Sequence, residues 1–233
     1  MQSRGAGVQG GVTTGDPSIT VTPNGPYLVS DARLVWRIPA TTDAGEPITW
    51  VTGPTLDEGQ AYALCRCGES ARKPFCDGTH QRSGFDGTEH ADGSYDDRAA
   101  EYVGTGVVVR DDRSICTHAG FCGTAATNVW QMVDDTDRTD VRSQVIAMIE
   151  RCPSGALTYT IEGHADSVEP ELATEIGVIP DGPLFVSGRV PVTCSDGTSL
   201  QIRNRMTLCR CGRSENKPLC DGTHKEAGFT SRP

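Results

Sequence analysis

The stretch C-R-C-G-E-S-A-R-K-P-F-C-D-G-T-H, residues 65–80, holds three cysteines and a histidine in sixteen positions. The same frame returns as C-R-C-G-R-S-E-N-K-P-L-C-D-G-T-H at 209–224. Outward from the two copies the likeness continues: I-T-V-T-P-N-G-P-Y-L-V-S (19–30) matches I-G-V-I-P-D-G-P-L-F-V-S (176–187). Each is a β-rich run broken by a turn signal, P-N-G-P or P-D-G-P, and each leads through more strand-like sequence to L-C-R-C-G. In the second copy, P-V-T-C-S-D-G-T-S-L-Q-I-R predicts a hairpin turning at Asp196-Gly197. In the first, the Pro-, Gly- and Thr-rich stretch 37–58 predicts a looser loop. The repeat therefore predicts two small antiparallel β units, each closing on a cysteine loop.

The donors within a loop have a definite chemistry. Cys65 and Cys67, a C-x-C pair in extended chain, can aim both sulfurs at one metal atom. Cys76 and His80 follow Pro74 and are spaced i, i+4, which one turn of helix with Asp77 as N-cap would bring together at a second atom. Two sulfurs at one iron, and a sulfur with an imidazole at another, describe a [2Fe–2S] cluster with three cysteines and one histidine. The helix start below Cys76, and Arg66 between the first two cysteines, would place positive charge beside an anionic cluster. The same reading carries to Cys209, Cys211, Cys220 and His224, with Arg210 and Asp221 in the supporting positions. The alternatives are mononuclear zinc, for which this donor set also serves, although zinc sites usually open with a wider cysteine spacing, and a disulfide framework.

The pattern C-x-C-x2-S-x3-P-x-C-D-G-T-H resembles the CDGSH iron–sulfur (NEET) motif, with Thr79 and Thr223 where the family name has serine. The likeness covers roughly residues 18–85 and 176–230. It implies [2Fe–2S] clusters held by the residues just named, and two copies paired within one chain as an intramolecular pseudo-dimer.

Between the copies the character changes. The polar, acidic stretch 86–98 predicts a linker or exposed loop, and Y-V-G-T-G-V-V-V-R (102–110) predicts a strand. In T-D-V-R-S-Q-V-I-A-M-I-E-R (139–151), Val141, Val145, Met148 and Ile149 share one helical face, with Thr139 or Asp140 as N-cap. A-L-T-Y-T-I (156–161) predicts another strand. The insert carries C-T-H-A-G-F-C (116–122) and C-P-S-G-A-L (152–157), so its frame is C-x2-A-x2-C with a distant C-P. Ferredoxin loops carry a cysteine where Ala119 stands. Residues 101–162 resemble the divergent single-cluster ferredoxins, which implies Cys116, Cys122 and Cys152 as ligands. Three thiolates suggest [3Fe–4S]; the rival is [4Fe–4S] with His118 or solvent as fourth ligand. Three buried structural cysteines are the third possibility.

Nine of the ten cysteines are then assigned, and Cys194 is expected to be a small core residue. His90 and His164 read as surface residues, and Trp36, Trp50 and Trp130 as core, with Trp130 over the third site. The fold class is α+β, predominantly β. A tail spans 1–17, the first CDGSH-type domain with its linker 18–100, the ferredoxin-like domain 101–165 and the second CDGSH-type domain 166–233.

The formal net charge of −10 argues against nucleic-acid binding and against adsorption to anionic lipid. The N-terminus has neither the apolar segment of a secretory signal nor the basic character of a transit peptide, and no run is long enough for a membrane span. A cytoplasmic protein with reduced thiols is expected. No dinucleotide fingerprint and no catalytic triad or paired carboxylates stand out. The expectation is an electron carrier, not an enzyme on its own, exchanging electrons with redox partner proteins (a reductase or an acceptor) and working as a monomer. A carrier that hands on [2Fe–2S], or a redox or pH sensor, is the second expectation.

Overall fold

The computed structural model describes residues 15–56, 59–164 and 166–233. The first fourteen residues of the expected tail lie outside them. The first copy supplies β1 (Ser18–Val21), β2 (Tyr27–Ser30), β3 (Arg33–Thr41), β4 (Pro47–Thr55) and β5 (Ala61–Leu64). The insert supplies α1 (Tyr95–Arg98), β6 (Ala100–Val103), β7 (Val107–Asp111), α2 (Val129–Met132), α3 (Thr139–Glu150) and β8 (Leu157–Ile161). The second copy supplies β9 (Glu175–Val178), β10 (Leu184–Ser187), β11 (Val192–Thr193) and β12 (Arg205–Leu208). The chain is predominantly β with a minor share of helix. Among the described residues no helix is long and apolar enough to cross a membrane.

The turn signals do what their chemistry allows. Asn24 and Asp181 take positive φ (46° and 52°), and the β1–β2 and β9–β10 hairpins close around them. From there the copies exchange strands. β3 leaves the first copy to run parallel to β9, with Leu34 opposite Ile176, and β11 runs parallel to β1, with Ile19 opposite Val192. The last strand of each copy returns to its own hairpin, β5 to β2 and β12 to β10. The result is a four-stranded sheet, β11-β1-β2-β5, and a five-stranded one, β12-β10-β9-β3-β4. Pairing is thus antiparallel within a copy and parallel where strands are exchanged. One core serves both copies: Ile19, Val29, Leu34, Trp36 and Leu64 pack with Ile176, Val178, Leu184, Val192 and Leu208.

Three local expectations change. Of the stretch 37–58, the described residues 37–56 are not a loose loop. They form the longest strand pair, β3–β4, closed by a turn in which Thr42 N–H bonds the Glu46 carbonyl (2.9 Å). Prolines 47 and 54 are tolerated because β4 is an edge strand, which needs donors on one side only. The run 102–110 is two strands, β6 and β7, since Gly104 and Gly106 turn the chain between them. Residues 86–98 are not a free linker. Ser94 forms a capping box for α1, and the His90 and Ala91 N–H groups bond the Lys217 carbonyl at 2.7 and 3.0 Å.

The insert is a three-stranded sheet, β6-β7-β8, packed on α2 and α3. Val145 and Ile149 of α3 are buried, with Val141 and Met148 partly so, as the periodicity predicts. Arg138, not Thr139 or Asp140, takes the N-cap position and offers no side-chain cap. The β3–β4 arm reaches over to the insert: Trp50 stacks on Phe121 (4.8 Å between centroids) and donates to the Arg151 carbonyl (2.9 Å). Trp50 is therefore half-buried between segments, while Trp36 lies in the core.

Candidate metal centres

Each twin loop closes by a short zipper. Cys65 N–H bonds the Pro74 carbonyl (2.8 Å) and Cys76 N–H the Ala63 carbonyl (2.9 Å), so the two sulfur-bearing strands face each other. Cys209 to Pro218 and Cys220 to Thr207 repeat this at 2.8 and 2.9 Å. The donors then stand in pairs. Cys65 and Cys67 sulfurs are 3.7 Å apart, and Cys76 Sγ is 3.4 Å from His80 Nδ1. Cys209 with Cys211, and Cys220 with His224 Nδ1, give the same 3.7 and 3.4 Å.

These spacings test whether a metal group fits. Two thiolates held about 2.3 Å from one metal atom at the tetrahedral angle lie about 3.8 Å apart. Each pair therefore suits one metal atom. Among the described residues no group of three or more His, Cys, Asp or Glu side chains converges on a single ion. Donors arranged two and two suit a group with two metal atoms.

The thiols themselves call for a cation. Burial pushes Cys67 up to about 11 and raises Cys220 well above the ordinary thiol range. Two thiolates 3.7 Å apart repel, and the hydrogen bond between them holds Cys209 below and Cys211 above the ordinary thiol range. Burial, with Lys225 and Arg210 nearby, pulls the His224 imidazole down to about 4, which leaves it neutral as a ligand must be.

The supporting residues do other work than the sequence suggests. No α-helix starts below Cys76. Gly78, at φ 84°, precedes a three-residue 3-10 turn (Thr79–Gln81), and the second loop forms turns only. Asp77 is a clasp and not an N-cap: its Oδ1 accepts from Thr79 N–H (3.0 Å) and its Oδ2 from Ala71 N–H (2.8 Å). Those bonds hold its carboxyl far below the usual range. Asp221 repeats them with Thr223 and Glu215, which more than offset the upward push of its burial. The positive ends facing sulfur are backbone N–H groups: Glu69 to Cys67 (3.4 Å), Gly78 to Cys76 (3.4 Å) and Arg213 to Cys211 (3.5 Å).

Arg66 and Arg210 are buried braces. Arg66 donates to the carbonyls of Thr22, Gly25 and Gly87, and Arg210 to those of Ile179 and Gly182 and to Ser231 Oγ. Each ties its cysteine loop to the hairpin turn of its own copy. Burial pulls Arg210 down to about 10, and the Cys65 sulfur of the other copy works against that fall.

Sequence reading missed several partners. Ser70 and Ser214 close the loops on the Phe75 and Leu219 carbonyls (2.6 and 2.7 Å), and Lys73 and Lys217 bond the carbonyls of those serines. Their identity in both copies was the available signal. Gly68 and Gly212 bring the loops together: a Cβ on either would lie 2.5 or 2.6 Å from the carbonyl oxygen of Cys211 or Cys67, and both sit at φ 78°. Gly68→Ala and Gly212→Ala are each expected to cost roughly 2–3 kcal/mol, nearly equally, in a denaturant melt. Very unequal costs would contradict the reciprocal contact.

The third site gathers Cys116, after a turn capped by Asp112, Cys122, and Cys152 just past α3. The sulfurs feel one another's charge, and burial raises Cys116 and Cys122. All three line a cavity of about 170 Å³, together with Phe121, Trp130 and Leu157. Trp130 is anchored by its indole N–H to Asp111 (3.1 Å) and stacked under Arg113. Among the described residues no cysteine is paired as a disulfide. His118, at φ 54°, donates its N–H to Cys116 Sγ (3.5 Å), while its ring lies against Gly222 of the second twin loop. Cys194 is a buried thiol at the start of the Asp196-Gly197 turn, closed by Thr198. His90 and His164 are exposed.

The family described as iron-binding zinc finger CDGSH type matches residues 24–81 and again 181–225. The family described as divergent 4Fe-4S mono-cluster matches residues 102–162. No curated protein and no solved structure gives a significant match.

Proposed function

We propose that this chain, an iron–sulfur protein in which two CDGSH-type segments flank a divergent 4Fe-4S mono-cluster segment, is an electron carrier with three clusters. Cys65, Cys67, Cys76 and His80 would hold one [2Fe–2S] cluster, and Cys209, Cys211, Cys220 and His224 the other. Cys116, Cys122 and Cys152 would hold the third. The CDGSH copies act as an intramolecular pseudo-dimer with exchanged strands, so one chain does the work of a dimer. The reading includes a cytoplasmic location and redox partner proteins as donor and acceptor.

The observation that carries the proposal is the contact between ligand loops. Gly68 and Gly212 seat each twin loop against the other's cysteine, and His118 and the Cys116 carbonyl seat the third loop on Gly222. Such contiguity favours electron passage from centre to centre, and a protein that only delivered [2Fe–2S] would not need it.

At the third centre the family match speaks for four irons, and the three-iron form has no support from it. With Ala119 in place of a cysteine, a fourth iron would have no thiolate and would be held by solvent or by His118, whose ring lies against Gly222. Such an iron would be the one most easily lost, and its loss to an oxidant would leave three irons on Cys116, Cys122 and Cys152.

The test is anaerobic purification, with iron, sulfide and zinc analysis and EPR in both redox states. About eight irons per chain with [2Fe–2S] signals on reduction are expected, falling to about seven with a three-iron signal after oxidation. Ala119→Cys is expected to suppress that signal. Zinc without sulfide would end the electron-transfer reading.

A further inference from the structure

The twin loops share their residues but not their surroundings. Gly222 occupies in the second loop the place of Gly78 in the first. A Cβ on Gly78 would meet nothing within 4 Å, whereas on Gly222 it would meet His118 Cδ2 at 2.4 Å and the Cys116 carbonyl at 3.3 Å. The second loop is also tied from outside its own copy. Lys217's carbonyl accepts from His90 and Ala91 N–H (2.7 and 3.0 Å), and Asn216 Nδ2 donates to the Ser114 carbonyl (3.1 Å). Lys225 Nζ donates to the His118 carbonyl. The Tyr27 hydroxyl lies 2.7 Å from the Cys209 carbonyl and 3.1 Å from that of Pro218, while Leu184, its counterpart, has no hydroxyl to offer Cys65. Among the described residues the corresponding atoms of the first loop take no such bond from elsewhere. Cys220 and His224 are buried accordingly, and Cys76 and His80 are only half-buried. His224 keeps 6% exposure, onto a groove walled by Trp50 and Lys225.

We infer that the insert, with the His90–Ala91 bonds to Lys217, locks the second twin loop, so that its metal group is resident, and leaves the first loop, which the crossing meets through Arg66 at Gly87 (2.8 Å) and Glu89 (3.9 Å), as the one that exchanges with the outside. Release of a metal group needs the C-x-C strand and the C-D-G-T-H turn to separate. The free energy of that local opening rises with each tie that must break with it. The inference rests on both loops being metal centres, and not on which metal they hold. It divides the labour of two otherwise matching sites: one iron group retained beside the third centre, the other open to a partner or an acceptor.

The test uses the loaded full-length protein and an iron chelator, with loss of the visible absorption followed in time. His80→Cys and His224→Cys each change one cluster's spectrum and so identify the loop behind each phase. Two phases about tenfold apart in rate are expected, the fast one belonging to the loop of His80. Lys225→Ala, at an exposed side chain, is expected to speed the slow phase about threefold and leave the fast one unchanged. A single phase, a fast phase belonging to His224, or an equal effect of Lys225→Ala on both phases overturns the inference. Metal and sulfide analysis of the starting sample judges the cluster reading separately. Should the loops hold zinc, a zinc chelator is expected to extract it in two phases as well, with Lys225→Ala again speeding only the slower.

Discussion

Arg205→Leu is expected to lower the melting temperature by roughly 6–20 °C and to strip iron from the third centre before the twin centres, from a loss of about 3–5 kcal/mol. Arg205 sits on β12, 1% exposed, in the strand that leads directly to Cys209. Its Nη1 reaches the carbonyls of Ile149, Glu150 and Cys152 at 2.8, 2.7 and 3.0 Å, and its Nη2 that of Leu157 at 3.2 Å. Nε stands 2.9 Å from Glu169 Oε2, an ion pair whose N–H is not aimed at the oxygen. The first two carbonyls belong to the last turn of α3, where the helical ladder runs out and Ile149 keeps the N–H of the C-cap and of Cys152 (3.0 Å). The third belongs to a proposed ligand. One side chain thus satisfies the end of a helix, positions Cys152 and fastens both to the strand of the second twin loop. Leucine fills part of the volume but takes a donor from each of those buried carbonyls, at about 1–3 kcal/mol for one left with none; Ile149 keeps the Cys152 N–H (3.0 Å) and Cys152 the Gly155 N–H (3.3 Å). Arg205→Lys, with one nitrogen for four carbonyls, is expected to fall between the two. Thermal melting and iron per chain check this. An unchanged melting temperature with full iron would mean that water replaces the guanidinium and that the clamp is dispensable.

Arg205 also marks the limit of what was legible in the sequence. The donors were readable because metal chemistry fixes residue type and spacing together. The P-N-G-P and P-D-G-P turns were readable because Asn24 and Asp181 are residue types that tolerate positive φ. The apolar face of α3 followed from its period. Strand exchange left no such mark: β3 has the same alternation whether it pairs with β2 or with β9, since a strand's pattern records a face and not a partner. Composition misled at 37–58. Pro39 lies beyond the reach of β9, which pairs with β3 only as far as Trp36, and its missing N–H costs the sheet nothing on that side. Asp77 misled for a different reason. The residue types that cap helices also clasp turns, and local sequence does not say which. The difference between Tyr27 and Leu184 was visible as a mismatch in the repeat, but its meaning depends on which loop the other copy presents.

Replacing either proposed ligand histidine by cysteine is expected to lower the midpoint potential of that one cluster by on the order of 100–300 mV. The ring nitrogen facing Cys76 and Cys220 is Nδ1, the one nearer the backbone, so a thiol at 80 or 224 falls close to the same point. Ligand number is then kept while a neutral donor becomes an anionic one. The added negative charge opposes the electron that reduction brings, and the opposition grows as solvent screening falls. Because His224 is buried and His80 only half-buried, His224→Cys is expected to shift its cluster further than His80→Cys. The cations beside His224, Lys225 and Arg210, are present before and after the substitution and do not reverse that order. An EPR-monitored redox titration of the wild type and the two variants decides it. A larger shift at His80 would mean that solvent reaches the second centre as freely as the first. Unchanged potentials in both variants would mean that neither imidazole is a ligand, and the mixed cysteine–histidine assignment of the twin centres would have to be abandoned.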